Sequence, residues 1–142
     1  MSDKSLKDAA ASGLYHLPPS RLSTVEACAE RVRFCLLKAD IAQQTSIESA
    51  LSQLGNAFKF PIWYGANFDA LYDCLCDPDW QPAKGHVLVI KGMARLRATD
   101  PDDFATLIDV FLAVSEARRE RQEPFWILID TPARGILTFP EA

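Results

Sequence analysis

FPIWYGANFDALYDCLCDPDW, residues 60–80, sets four aspartates among aromatic rings and contains neither lysine nor arginine. Pro61 bars any preceding helix from continuing, and Gly65 offers a backbone angle that other residues avoid. Asn67 is placed to cap a helix over Phe68–Asp77, which Pro78 ends. With about 100° per residue, Phe68, Leu71, Tyr72 and Leu75 share one sector of that helix, while Asp69, Asp73 and Asp77 fall on the far side. The spacing predicts one buried face and one row of carboxylates turned to solvent. Like charges at i,i+4 weaken a helix by roughly a few tenths of a kcal/mol per pair. No lysine or arginine four residues away relieves them.

The charge inventory gives this stretch its weight. The chain has 142 residues, 15 lysines and arginines, 19 aspartates and glutamates, and a formal net charge of −4. Asp69, Asp73, Asp77 and Asp79 lie between Lys59 and Lys84 with no basic residue among them, so they carry the whole excess. Such a patch repels phosphate backbones and attracts cationic proteins, which argues against nucleic acid as a direct partner. Aspartates on a helix face are most often only solvated surface. Here the absence of interspersed cations, the adjoining Trp63 and Tyr64 and the glycine turn favour a protein–protein contact.

Outward from this segment the pattern alternates. On the N-terminal side, residues 1–11 read as a frayed polar leader and Gly13–Leu17 as a short strand stopped by Pro18 and Pro19. Ser23 and Glu26 suggest a capping box opening a helix to about Arg31. Val32–Lys38 is an apolar run of strand length, expected to be covered on both faces. Thr45 and Glu48 suggest a second capping box, with Ile47, Ala50, Leu51, Leu54 and Phe58 at helical spacing. On the C-terminal side, Val87–Lys91 and Phe125–Asp130 read as buried strands. Between them lie a short helix at Met93–Arg97 and a longer one started by Asp100-Pro101. Gly135–Phe139 is an edge-strand candidate.

Strands alternating with helices predict βαβ crossovers and a single α/β domain over residues 1–142, with a small parallel sheet of three core strands and room for one or two edge strands. No apolar run approaches the roughly 20 residues that span a bilayer, and the N-terminus lacks the apolar core of a signal peptide. The expectation is a cytoplasmic chain without a membrane partner. Cys28, Cys35, Cys74 and Cys76 lack the spacing of a disulfide framework. Cys74 and Cys76 read as small side chains on a helix rather than metal ligands. Neither His16 nor His86 has a partner visible in sequence, and no phosphate-binding glycine loop, H-E-x-x-H, G-x-S-x-G or EF-hand pattern occurs. An enzyme, a metal site and a cofactor are therefore not expected.

The run Pro61-x-Trp63-Tyr64-Gly65-x-Asn67-Phe68-Asp69-Ala70-Leu71-Tyr72-Asp73-Cys74-Leu75 resembles the signature of the barstar family, inhibitors of barnase-type ribonucleases. The resemblance extends over about Val32–Asp130 and leaves residues 1–31 as an N-terminal extension. It implies a barstar-like fold and a loop and helix that plug the nuclease active site. By this resemblance Asp73 matches the aspartate that enters the phosphate-binding pocket, and Asp69 a second interfacial carboxylate. Trp63 stands where the family has a tyrosine over a catalytic histidine. Gly65, Asn67 and Phe68 match loop and helix-start contacts, and Tyr72 replaces a tryptophan. Glu116 is the best match to a glutamate on the later helix, a plain exposed glutamate being the other reading. With Tyr64, Cys76 and Asp77 these complete the candidate partner-binding set. The implied partner is a basic secreted or toxin ribonuclease. The alternative is the same fold serving another basic protein without ribonuclease inhibition.

Overall fold

Ten α-helices and strands, with short 3-10 turns at Ala9–Ala11 and Pro19–Arg21, follow one another along residues 2–140, the part of the chain described by the computed structural model. They are α1 (Asp3–Leu6), β1 (Leu14–His16), α2 (Leu22–Val32), β2 (Cys35–Asp40), α3 (Ile47–Ala57), α4 (Phe68–Cys76), β3 (His86–Lys91), α5 (Met93–Thr99), α6 (Pro101–Glu120) and β4 (Phe125–Ile129). The sheet has four strands in the order β1-β4-β3-β2, and every pairing is parallel. This is the expected α/β architecture, a small parallel sheet of β2, β3 and β4 with one further strand, β1, at the edge beside β4.

Alternation along the central strands divides the core into two layers, as the period of two requires. Leu88, Ile90, Ile127 and Ile129 point to the side covered by α3, α4, α5 and α6, where they meet Leu51, Leu54, Leu71, Leu75, Phe111 and Val114. Val87, Val89, Trp126 and Leu128 point the other way, onto Leu6, Val25, Cys28, Ala29 and Phe139. The helix periodicity read from Ile47, Ala50, Leu51, Leu54 and Phe58 holds, since all five are buried.

Several local expectations are corrected. Residues 2–11 are not a frayed leader, Met1 lying outside the described residues. Leu6 is fully buried, its carbonyl accepts a 2.8 Å hydrogen bond from Trp126 Nε1, and Asp3 pairs with Arg31 at 3.0 Å. Ser23 caps nothing, because α2 already starts at Leu22 with Arg21 as an N-cap that makes no side-chain cap bond. Glu26 instead reaches Lys38 at 3.4 Å. Val32 ends α2 rather than starting a strand, and Arg33 turns the chain at φ 62, so β2 begins at Cys35. As an edge strand β2 is only partly buried rather than covered on both faces. The second capping box is shifted by one residue, Ser46 pairing with Ser49 rather than Thr45 with Glu48. Gly135–Phe139 adds no strand and makes a single bridge, Thr138 to His16.

Candidate functional site

The acidic helix is held at its base by the turn before it. Phe60 N donates to Gly55 O at 2.9 Å and Tyr64 N to Pro61 O at 3.0 Å, which folds residues 58–64 back against α3. The Tyr64 ring lies so close to Gly55 that a Cβ there would come within 2.6 Å of it, and any side chain would displace the ring. Tyr64 Oη donates to Leu51 O at 2.8 Å, and burial pushes its hydroxyl pKa up. Tyr64, a predicted contact residue, is thus turned inward as a pillar of the loop. The left-handed backbone angle expected at Gly65 falls instead on Ala66, φ 52. Asn67 caps α4 as its sequence predicts, its Oδ1 accepting from Ala70 N at 2.8 Å.

The helix then buries Leu71, Cys74 and Leu75. Its buried sector is rotated from the expected one: Cys74 is inside, whereas Tyr72 is partly exposed. Burial pushes the Cys74 thiol up to about 11, with Asp73 and Asp77 adding to the shift, so it stays a protonated core residue. Burial likewise raises the Cys76 thiol, and its hydrogen bond with the Tyr72 hydroxyl partly offsets the shift.

On the outer face, Asp69 and Asp73 line one shallow depression together with Trp63, Gly65, Asn67, Phe68 and Ala70. Both carboxylates are exposed, and neither is bonded to another side chain among the described residues. Asp77 departs from the row. It is half-buried past the helix end, where its Oδ1 accepts from Asp79 N at 2.8 Å. Glu116 stands exposed on α6 and does not line the depression. The structure therefore brings together Trp63, Gly65, Asn67, Phe68, Asp69 and Asp73, and leaves Tyr64, Tyr72, Cys76, Asp77 and Glu116 outside that hollow.

What the sequence reading missed is the support beneath α4. Arg118, in the last turn of α6, is 2% exposed, and its Cζ lies 4.5 Å from the Phe125 ring centroid. Its Nε and Nη2 donate to Leu75 O at 3.0 and 2.7 Å, while Arg121 Nη2 donates to Cys76 O at 2.8 Å. Glu123 pairs with both guanidinium groups. Two cations thus satisfy the free carbonyls at the negative end of α4. The positive end faces Asp69, in the first turn. Beneath the loop after α4, Trp80 Nε1 donates to Phe58 O at 2.8 Å and the Trp80 ring stacks on buried His86 at 5.7 Å. His86 Nε2 is 2.7 Å from Gln81 O, its Nδ1 has no partner among the described residues, and burial lowers its pKa.

Among the described residues no cluster of histidine, cysteine or carboxylate could hold a metal ion, and no helix is long and apolar enough to cross a membrane. No curated protein matches the chain significantly. Residues 34–130 match the family described as Barstar (barnase inhibitor), a span that contains α4, the turn before it and the arginines behind it. The chain therefore belongs to the barstar family.

Proposed function

We propose that this protein inhibits a basic, barnase-type ribonuclease by inserting the turn and first half of α4 into the RNA-binding cleft, as an endogenous partner or as immunity against a toxin. The observation that carries the reading is the pair Asp69 and Asp73, exposed, without cationic partners among the described residues, and sharing one depression with Trp63. A nuclease cleft presents fixed cations to bind polyanion. Two carboxylates one helical turn apart offer those cations negative charge without a bond to cleave. Asp73 would enter the phosphate pocket and Asp69 would pair at its margin. Trp63 would cover an aromatic or imidazole ring, and Asn67 and Phe68 would meet the cleft wall.

Inhibition of RNA cleavage by a purified barnase-type ribonuclease tests this directly. The expected result is tight inhibition, with association that slows as salt rises and most of the affinity lost in Asp73→Ala. Barnase with barstar is itself the measured example of such steering and charge coupling, so the known magnitudes belong to that pair and not to this chain. Unaltered affinity in Asp73→Ala would overturn the mechanism. Tight, salt-sensitive binding to a basic protein without loss of RNA cleavage would move the function to a non-inhibitory interaction module.

A further inference from the structure

Ile62 is the most exposed large apolar residue in the described chain, at 103% relative accessibility, and its neighbour Trp63 is also exposed, at 56%. Only Tyr72, Leu112 and Leu137 join them as exposed large apolar side chains, so three of the five border the acidic helix or the turn before it. Single exposed apolar residues are ordinary. An adjacent pair on a held turn is less so, and this turn is held. Pro61 fixes its entry, Pro61 O accepts from Tyr64 N, and the Phe60 and Tyr64 rings meet edge-on at 4.8 Å. Trp63 moreover divides two depressions. One is the acidic hollow of Asp69 and Asp73; the other is lined by Lys59, Pro61, Trp63, Asp77, Asp79, Trp80 and Gln81.

We infer that Ile62 is a specificity-determining anchor, and that the partner carries an apolar socket at the rim of its cationic cleft. This rests on the inhibitor reading above and says which cationic clefts qualify. Carboxylates at i,i+4 attract many basic surfaces, because Coulomb attraction is long-ranged and tolerant of shape. Discrimination among such surfaces needs a contact that a wrong partner leaves unfilled. A branched side chain on a preorganised turn supplies one with little ordering cost. Ile62 is next in the chain to Trp63, which lines the acidic hollow, so the socket would lie beside the cations that meet Asp69 and Asp73.

The test uses the full chain and a barnase-type ribonuclease that it inhibits, with Ile62→Ser, Ile62→Leu and Asp73→Ala measured over a range of salt. Ile62→Ser is expected to raise Kd roughly 10- to 100-fold, the loss expected for one buried aliphatic side chain. The change should appear in the dissociation rate, with the salt slope of association unchanged. Ile62→Leu should recover most of the loss. Because Ile62 touches no core, the melting temperature should stay where it was. An Ile62→Ser Kd within about twofold of the parent, alongside a large loss in Asp73→Ala, would overturn the anchor and leave the inhibitor reading standing. Intact binding in both variants would overturn both.

Discussion

Arg118 donates two hydrogen bonds, through Nε and Nη2, to the carbonyl oxygen of Leu75 on a helix 43 residues earlier in the chain. This joins the last turn of α6 to the last turn of α4, the element that carries the acidic surface. A buried guanidinium is tolerated here because carbonyls, Glu123 and the face of Phe125 replace its water.

Replacing Arg118 by methionine keeps much of its bulk but leaves the end of α4 uncapped. The expected loss is about 2–3 kcal/mol, the range for charged hydrogen bonds and a stranded buried acceptor. Arg118→Lys should recover little, since a point charge cannot reproduce the two-pronged contact. Urea denaturation checks both variants, and a loss below about 0.5 kcal/mol would contradict the capping role.

Asp73→Ala should stabilise the free protein while weakening its binding. Removing the middle charge relieves repulsion toward Asp69, and alanine is the better helix former, so the gain should be about 0.5 kcal/mol. Parallel measurements of melting and inhibition would show the two properties moving in opposite directions. A destabilised Asp73→Ala would mean that the carboxylate has a structural partner.

Gly55→Ala tests the turn without touching the acidic surface. The added methyl would meet the Tyr64 ring, which must shift and lose its bond to Leu51 O. Overpacking of this kind costs about 1–3 kcal/mol. Amide spectra should show movement along residues 60–67, and binding should weaken although no contacting side chain has changed.

His86 sets a pH dependence. Its folded pKa is lowered from the usual 6.5, burial being the first cause. Of the groups around it, Gln81 O and Glu123 favour the proton and Arg118 opposes it. Below pH 6.5 the unfolded chain therefore binds the proton more readily than the folded one. Stability from neutral His86 is complete above that pH and declines as pH falls through the folded pKa. His86→Gln should flatten this part of the stability profile, read by denaturation between about pH 7 and pH 5. An identical slope in the variant would assign the dependence to carboxylates.

Leu6→Ala tests the N-terminal segment, which lies outside the family match yet is part of the core. Truncation of a fully buried leucine should cost about 2–5 kcal/mol. A neutral result would return residues 2–8 to the status of a tail.

The reading from sequence succeeded where local chemistry decides the outcome. Asn67 caps α4 through a bond to a residue three positions away, and the Val87–Lys91 and Phe125–Asp130 runs are apolar enough to be central strands in any packing. It failed where a neighbour is distant. Leu6 looks like an isolated apolar residue in a polar leader because its partner, Trp126, is 120 positions on. Val32 belongs to a helix or a strand according to where the chain turns, and the turn falls on Arg33, a residue type with no preference for the left-handed region. At the site, the exposure of Asp69 and Asp73 follows from helical spacing, whereas the withdrawal of Asp77 depends on a turn at Asp79.

The sheet works as a partition with consequences for handling the molecule. Leu6 and α2 pack on one side, while α4 and its acidic hollow belong to the layer on the other. A tether attached ahead of Ser2 would therefore anchor the protein by its back. The hollow would stay open to a partner arriving from solution, an orientation suited to capture on a surface.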